Sequence, residues 1–221
     1  MWWRSVAHVG DRWGTSRVEA FSDGVFAIAI TLLVLEISVP ESGFEDLWQG
    51  IADQWPSYLA YATSFLTIGW IWLVHHGIFR RLQYANSWVM RINLLLLMAV
   101  AFLPFPTKLL AEAIHDVDAE RAAAVFYGGT LFVISALISV LWRVIANDRG
   151  LLRPEVSDQD VKAITATATP SLAFYVAVIL IAIFVPKVAA FGYLVIAVIA
   201  VLRARGDQVD GRHAVESGRP K

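Results

Sequence analysis

Cysteine is absent, which excludes structural disulfides, thiolate metal sites and cysteine nucleophiles and leaves the redox compartment open. Charge is scarce as well. Only 17% of the 221 residues are charged against 57% apolar, too few for an ordinary soluble domain. The net charge of −1 says nothing about nucleic acid, and no nucleic-acid partner is expected. No HExxH, GxSxG, Walker loop or helix-opening GxGxxG occurs, so no enzyme class is indicated and no cofactor is expected. The opening MWWRSVAHVGDRW lacks the continuous apolar core of a signal peptide.

The apolar residues are gathered into runs. Between Asp53 and Arg80 lie 26 residues without carboxylate, lysine or arginine, between Lys162 and Lys187 24, and between Arg121 and Arg143 21. A helix crosses a hydrocarbon core of about 30 Å with about 20 residues, so each run predicts a span. Two shorter runs, 92–107 and 188–202, suffice if flanking lysines and arginines snorkel to the interface. The first segment is unusual, because Asp23 and Glu36 bracket only 12 uncharged residues. Spanning from Arg17 to Val39 therefore brings a carboxylate into or beside the membrane, which marks this segment for function. The predicted fold class is an all-α membrane protein with six transmembrane helices per subunit, at about 17–39, 55–79, 89–107, 121–146, 160–186 and 188–204. These make one channel-sized domain, 1–205, followed by a disordered polar tail, 206–221.

Charge sets the orientation. With six spans, 15 of the 18 lysines and arginines fall on the side of the termini, and Lys108, Arg121 and Lys187 on the other. The positive-inside rule then predicts that both termini are cytoplasmic. The opposite side carries Glu41, Glu45, Asp46, Asp53, Glu112, Asp116, Asp118 and Glu120, which read one by one as solvated loop charges. In the first outer loop Phe44, Leu47, Trp48, Ile51 and Trp55 recur at helical spacing behind a Ser42-x-x-Glu45 capping-box pattern, predicting a short interfacial helix. Trp13, Trp48, Trp55, Trp88 and Trp142 fit interfacial belts. Pro104, Pro106, Pro170 and Pro186 would kink or end helices.

The first span opens Arg17-Val-Glu-Ala-Phe21-Ser22-Asp23-Gly24 and continues through Ile28, Thr31, Leu32 and Leu35 to Glu36. This R-x-x-x-F-S-D signature resembles the prokaryotic branch of the transmembrane-protein-175 potassium channel family. Trp72, His75 and His76 in the second span, Asn93 in the third and the Phe102–Thr107 run extend the likeness, which is hydropathic more than motif-based in segments four to six. The resemblance implies a homotetramer in a prokaryotic plasma membrane, with four first helices lining a potassium-selective pore. It also implies that apolar rings replace a carbonyl filter. The filter sequence TVGYG and an arginine-repeat voltage sensor are indeed missing here.

Helical geometry sorts the first span. At about 100° per residue Ile28, Thr31 and Leu35 share one face with Leu32 at its edge, while Asp23 lies about 140° from Ile28. Ile28, Thr31, Leu32 and Leu35 are thus the expected pore-lining residues, with potassium passing transiently at Thr31. Without the resemblance, such residues read as lipid-facing or core. Asp23 is expected as a buried clasp in a network with Arg17, Phe21, Ser22, Trp72, His75, His76 and Asn93, unless the helix breaks at Gly24. The adjacent His75 and His76 point about 100° apart and cannot share a metal. Trp70 and Trp72 read as packing residues. The alternative function is a proton- or cation-coupled transporter, or proton leak pathway, relaying through Asp23 and His75 or His76. A membrane scaffold without flux is a third reading.

Overall fold

The computed structural model of the chain describes residues 13–113, 116–185 and 191–199. Seven named helices follow in order: α1 Ser16–Leu32, α2 Leu47–Ala52, α3 Trp55–Phe79, α4 Ser87–Phe102, α5 Pro104–Glu112, α6 Val117–Asn147 and α7 Asp158–Phe184. An eighth, α8, covers 191–199. Among the described residues four helical segments are long and apolar enough to cross a membrane: Ser16–Glu36, Leu47–Phe79, Ser87–Glu112 and Val117–Asn147. In α7 the apolar part is the shorter Ala173–Phe184. The tail 206–221 lies outside the described residues, as do Pro186, Lys187 and most of the flanks of 188–204.

α1 packs on α3 and α4, while α6 packs on α4, α5 and α7. Phe26, Ile68, Phe79, Leu96, Leu103, Tyr127, Ile134 and Trp142 fill the space between them. The basic-side loops are stitched together by backbone hydrogen bonds. Trp13–Gly14 pairs antiparallel with Tyr84–Ala85, Gln83 N donates to Leu151 O, and Arg153 N donates to Arg81 O. This ties the entry of α1 to the α3–α4 turn and to the loop before α7.

Several sequence expectations change in detail. The third segment runs past 107 to Glu112 but breaks at Leu103, because Pro104 and Pro106 lack the N–H groups that a continuous helix needs. It can continue through Lys108 because that ammonium has a partner in Glu36. The loop helix is capped by Asp46, which accepts from Gln49 N, not by the Ser42-x-x-Glu45 pattern, where the chain makes a 3-10 turn. Gly43 and Gly50 touch backbone to backbone there, leaving no room for a side chain on Gly50. Trp142 is no belt residue. It is 1% exposed, with its indole N–H donating to Thr165 Oγ1 at 3.0 Å, whereas Trp13, Trp48, Trp55 and Trp88 are exposed as expected. Glu120 is likewise buried, at 2% exposure, not a solvated loop charge.

Candidate functional site

α1 divides its two faces sharply. Ser22, Phe26 and Ala29 are buried, and Leu33 just beyond continues that stripe. The opposite face is open: Ile28 is 60% exposed, Leu32 40% and Leu35 71%. The helix passes through Gly24 without a break, so the angular argument for one shared face holds along its length. At Leu33 it tightens into a 3-10 turn, Leu33–Glu36, which advances about 120° per residue and swings Leu35 nearly into line with Leu32. Thr31 is exposed on the same side, its hydroxyl donating to Ile28 O at 2.9 Å. That bond occupies the proton and leaves oxygen lone pairs free.

The buried face is fastened by a directional chain of hydrogen bonds. His75 Nε2 donates to Asn93 Oδ1 at 2.8 Å, Asn93 Nδ2 donates to Ser22 Oγ at 3.0 Å, and Ser22 Oγ donates to Val18 O at 2.8 Å. One residue from each of α3, α4 and α1 thus meets in the core. The His75 ring stacks on Phe79 and tilts against Phe26, which fixes its orientation. The Asn93 amide bridges the other two through its oxygen and its nitrogen, which makes the contact directional and specific.

Asp23 sits beside this chain and not within it. In the subunit it is exposed and accepts one hydrogen bond, from Trp72 Nε1 at 2.8 Å. Within one subunit Ser22, Asn93 and His75 take the buried place, and Asp23 keeps Trp72 of its expected partners. Burying a carboxylate with a single neutral donor would be far more costly. Trp72 proves more than a packing residue, since its indole stacks on His76 while holding Asp23. His76 is half-buried and His75 buried, so the two histidines serve different groups. Arg17 and Phe21 stay outside the network in the subunit, both exposed, and line a groove with Met90, Arg91 and Leu94. Among the described residues no three His, Asp or Glu side chains are grouped to hold a metal ion.

A second polar cluster was not anticipated. Ser64 Oγ lies 2.7 Å from Thr107 Oγ1 and 3.0 Å from the Tyr127 hydroxyl, joining α3, α5 and α6. Thr107 also donates its hydroxyl to Leu103 O, which accepts the Thr107 backbone N–H as well. At the C-terminal end of α1, Glu36 Oε2 meets Lys108 Nζ at 3.2 Å. The sequence signal for both was weak, because single hydroxyls in spans usually bond their own helix and a lone lysine at a span end usually faces the interface.

Comparison with known proteins decides what these helices belong to. A family model described as the endosomal/lysosomal potassium channel TMEM175 matches residues 17–104. A potassium channel from Streptomyces collinus is 44% identical over 143 residues, covering 64% of this chain and 69% of that one. A potassium channel from Chamaesiphon minutus is 46% identical over 154 residues, covering 68% and 75%. This chain belongs to the TMEM175 family. The crystal structure of a lysosomal potassium-selective TMEM175 homologue from Chamaesiphon minutus superposes with a TM-score of 0.77 at 39% identity, covering 86% of this chain and 97% of that one. A TMEM175 relative from Gallus gallus, named an endosomal/lysosomal proton channel, is 32% identical over 151 residues, 62% of this chain but 30% of that protein. The match of the TMEM175 model starts at Arg17 and takes in α1, α3 and α4.

Proposed function

We propose that this protein is a potassium-selective cation channel of a prokaryotic plasma membrane, formed by four copies around an axis lined by their α1 helices. The observation that carries the proposal is the division of α1. Ser22 is spent inward on Asn93, itself held by His75, and Asp23 is held by Trp72, while Ile28, Thr31, Leu32 and Leu35 stand open on one face. Bacterial relatives named potassium channels support the substrate. Each subunit contributes six spans: the four long apolar helices together with α7 and the segment containing α8. Both termini lie in the cytoplasm, and residues 1–205 form one channel domain ahead of the tail.

Four Ile28 side chains and four Leu35 side chains make apolar constrictions that close by dewetting when narrow, since an ion crossing them loses hydration without replacement. Between them the Thr31 oxygens replace part of the hydration shell of a passing potassium ion. Permeation is passive and involves no covalent chemistry or cofactor. Selectivity is moderate, because one hydroxyl ring offers fewer oxygens than a stack of carbonyl rings. Arg17, Phe21 and Asp23, exposed in one subunit, are placed to meet neighbouring subunits.

Potassium flux from liposomes holding the purified protein, with a sodium control, tests the reading. Potassium efflux exceeding sodium efflux is expected, and strictly proton-coupled slow flux would favour a carrier. A proton pathway has one specific point in its favour, the proton-channel name of the Gallus gallus relative. Against a relay within the subunit, Asp23 bonds to Trp72 and His75 to Asn93, and no hydrogen bond joins the two branches among the described residues.

A further inference from the structure

α1 has neither a glycine cap nor a basic residue in its last turn; it simply tightens into Leu33–Glu36 and runs out at Ile37. That end is held by Leu33, buried in the core where the turn packs on α3, and by the contact between Glu36 and Lys108 of α5. Among the described residues this ion pair joins two separate long segments, whereas Arg121–Asp118 lies within α6 and Arg149–Asp158 links α7 to the turn before it. Lys108 also places positive charge at the carbonyl end of α1, where the helix dipole favours it. α5 is a firm anchor. Thr107, next to Lys108, is buried and touches the hydroxyls of Ser64 and, through Ser64, Tyr127, and Leu110 is buried behind it.

We propose that the Glu36–Lys108 pair is a strut holding the outer end of each pore helix back from the axis, which makes Lys108 a positioning residue for the Leu35 ring. The inference rests on the pore reading above. Its direction comes from geometry. At about 120° per residue in the 3-10 turn, Glu36 points roughly 160° away from Ile28, so a pull towards α5 is a pull away from the pore face. The groove between the two elements, about 540 Å³, is lined by Leu32, Leu35, Glu36, Lys108 and Glu112 among others. Without the ammonium, two carboxylates, Glu36 and Glu112, face one groove with no counter-charge, and their repulsion pushes the Leu33–Glu36 turn inward. The Leu35 ring then narrows. The pair is partly exposed, with side chains 46% and 29% accessible, so it contributes little to folding and its loss should leave the subunit intact.

Single-channel recording of the reconstituted full-length protein tests this. Lys108→Met should lower potassium conductance roughly threefold, on the scale a partly exposed ion pair can supply, and Glu36→Gln should lower it similarly. Lys108→Arg should keep it, and the exchanged pair Glu36→Lys with Lys108→Glu should recover it. In a Leu35→Ala background, where the ring is already wide, Lys108→Met should have no effect; a merely structural role would not move with residue 35. Conductance that rises in Lys108→Met at low salt, returns to normal at high salt and persists in Leu35→Ala would mean that the charges act on the ions directly, and the strut is overturned. Unchanged conductance in both Lys108→Met and Glu36→Gln overturns it as well, and Glu36→Gln decides alone if the lysine variant does not fold. A wild-type protein without potassium current would sink the pore reading and the strut together, whereas a conducting wild type with either contrary result sinks only the strut.

Discussion

Thr31 is the one hydroxyl-bearing residue among the proposed pore-face positions, and its proton is engaged by Ile28 O. Its oxygen therefore faces outward as an acceptor, which suits a cation. Thr31→Val keeps the shape and removes that oxygen. Bi-ionic reversal potentials should show the potassium-over-sodium ratio falling, by roughly fivefold if the oxygen contributes about 1 kcal/mol. An unchanged ratio would return Thr31 to a helix-internal bond. Asn93 belongs to a different kind of residue, one that serves the fold. Asn93→Leu removes the acceptor of His75 and the donor to Ser22, leaving buried groups unpaired at roughly 1–3 kcal/mol each. Thermal unfolding in detergent should show a lower midpoint, with ion preference unaltered in whatever protein remains assembled.

At the scale of the element, α1 behaves as two half-surfaces with opposite tolerances. Ile28 is open, whereas Ile30, about 160° around the helix, is partly buried against the core. Ile28→Asn keeps a similar volume but brings amides that hold water in a dry ring, so current per channel at the surface should rise and discrimination among small cations should weaken. Ile30→Asn places the same amide against α1's packed side, so yield should fall with no change in permeation. Equal responses at both positions would remove the pore-face assignment. The α4–α5 break is legible in Pro104 and Pro106 themselves. That Thr107 then locks the break through Ser64 and Tyr127 was not, because it depends on α3 and α6 arriving at the same level.

At the scale of the whole molecule, the basic-side loops are mutually hydrogen-bonded while the acidic loop carries Phe44 and Trp48 outward. The chain's lack of cysteine makes orientation directly measurable. A single cysteine at Glu45 should react with an impermeant maleimide on intact cells, and one at Glu155 only after lysis. Reaction of both from outside would overturn the six-span assignment, which puts three spans, an odd number, between these two loops.

The long apolar runs and the prolines determined the four long apolar helices, and the charge asymmetry their expected orientation. Each follows from local chemistry: hydrocarbon demands about 20 apolar residues, and proline lacks an N–H. The angular spacing likewise put Ile28, Thr31 and Leu35 on one face and Asp23 away from it, because that is fixed by 3.6 residues per turn, whereas the burial of Ser22 and Phe26 opposite came from the packing. Tertiary structure alone decided how the polar residues were used. Asp23, Asn93, His75 and Trp72 were all visible as candidates, but which of them meet depends on the relative rotation and height of α1, α3 and α4, quantities that no single segment encodes. The same holds for Trp142, a belt residue by position and a core residue by contact, and for Lys108. A charge at a span end reads as solvent-seeking until another helix delivers a carboxylate 3.2 Å away.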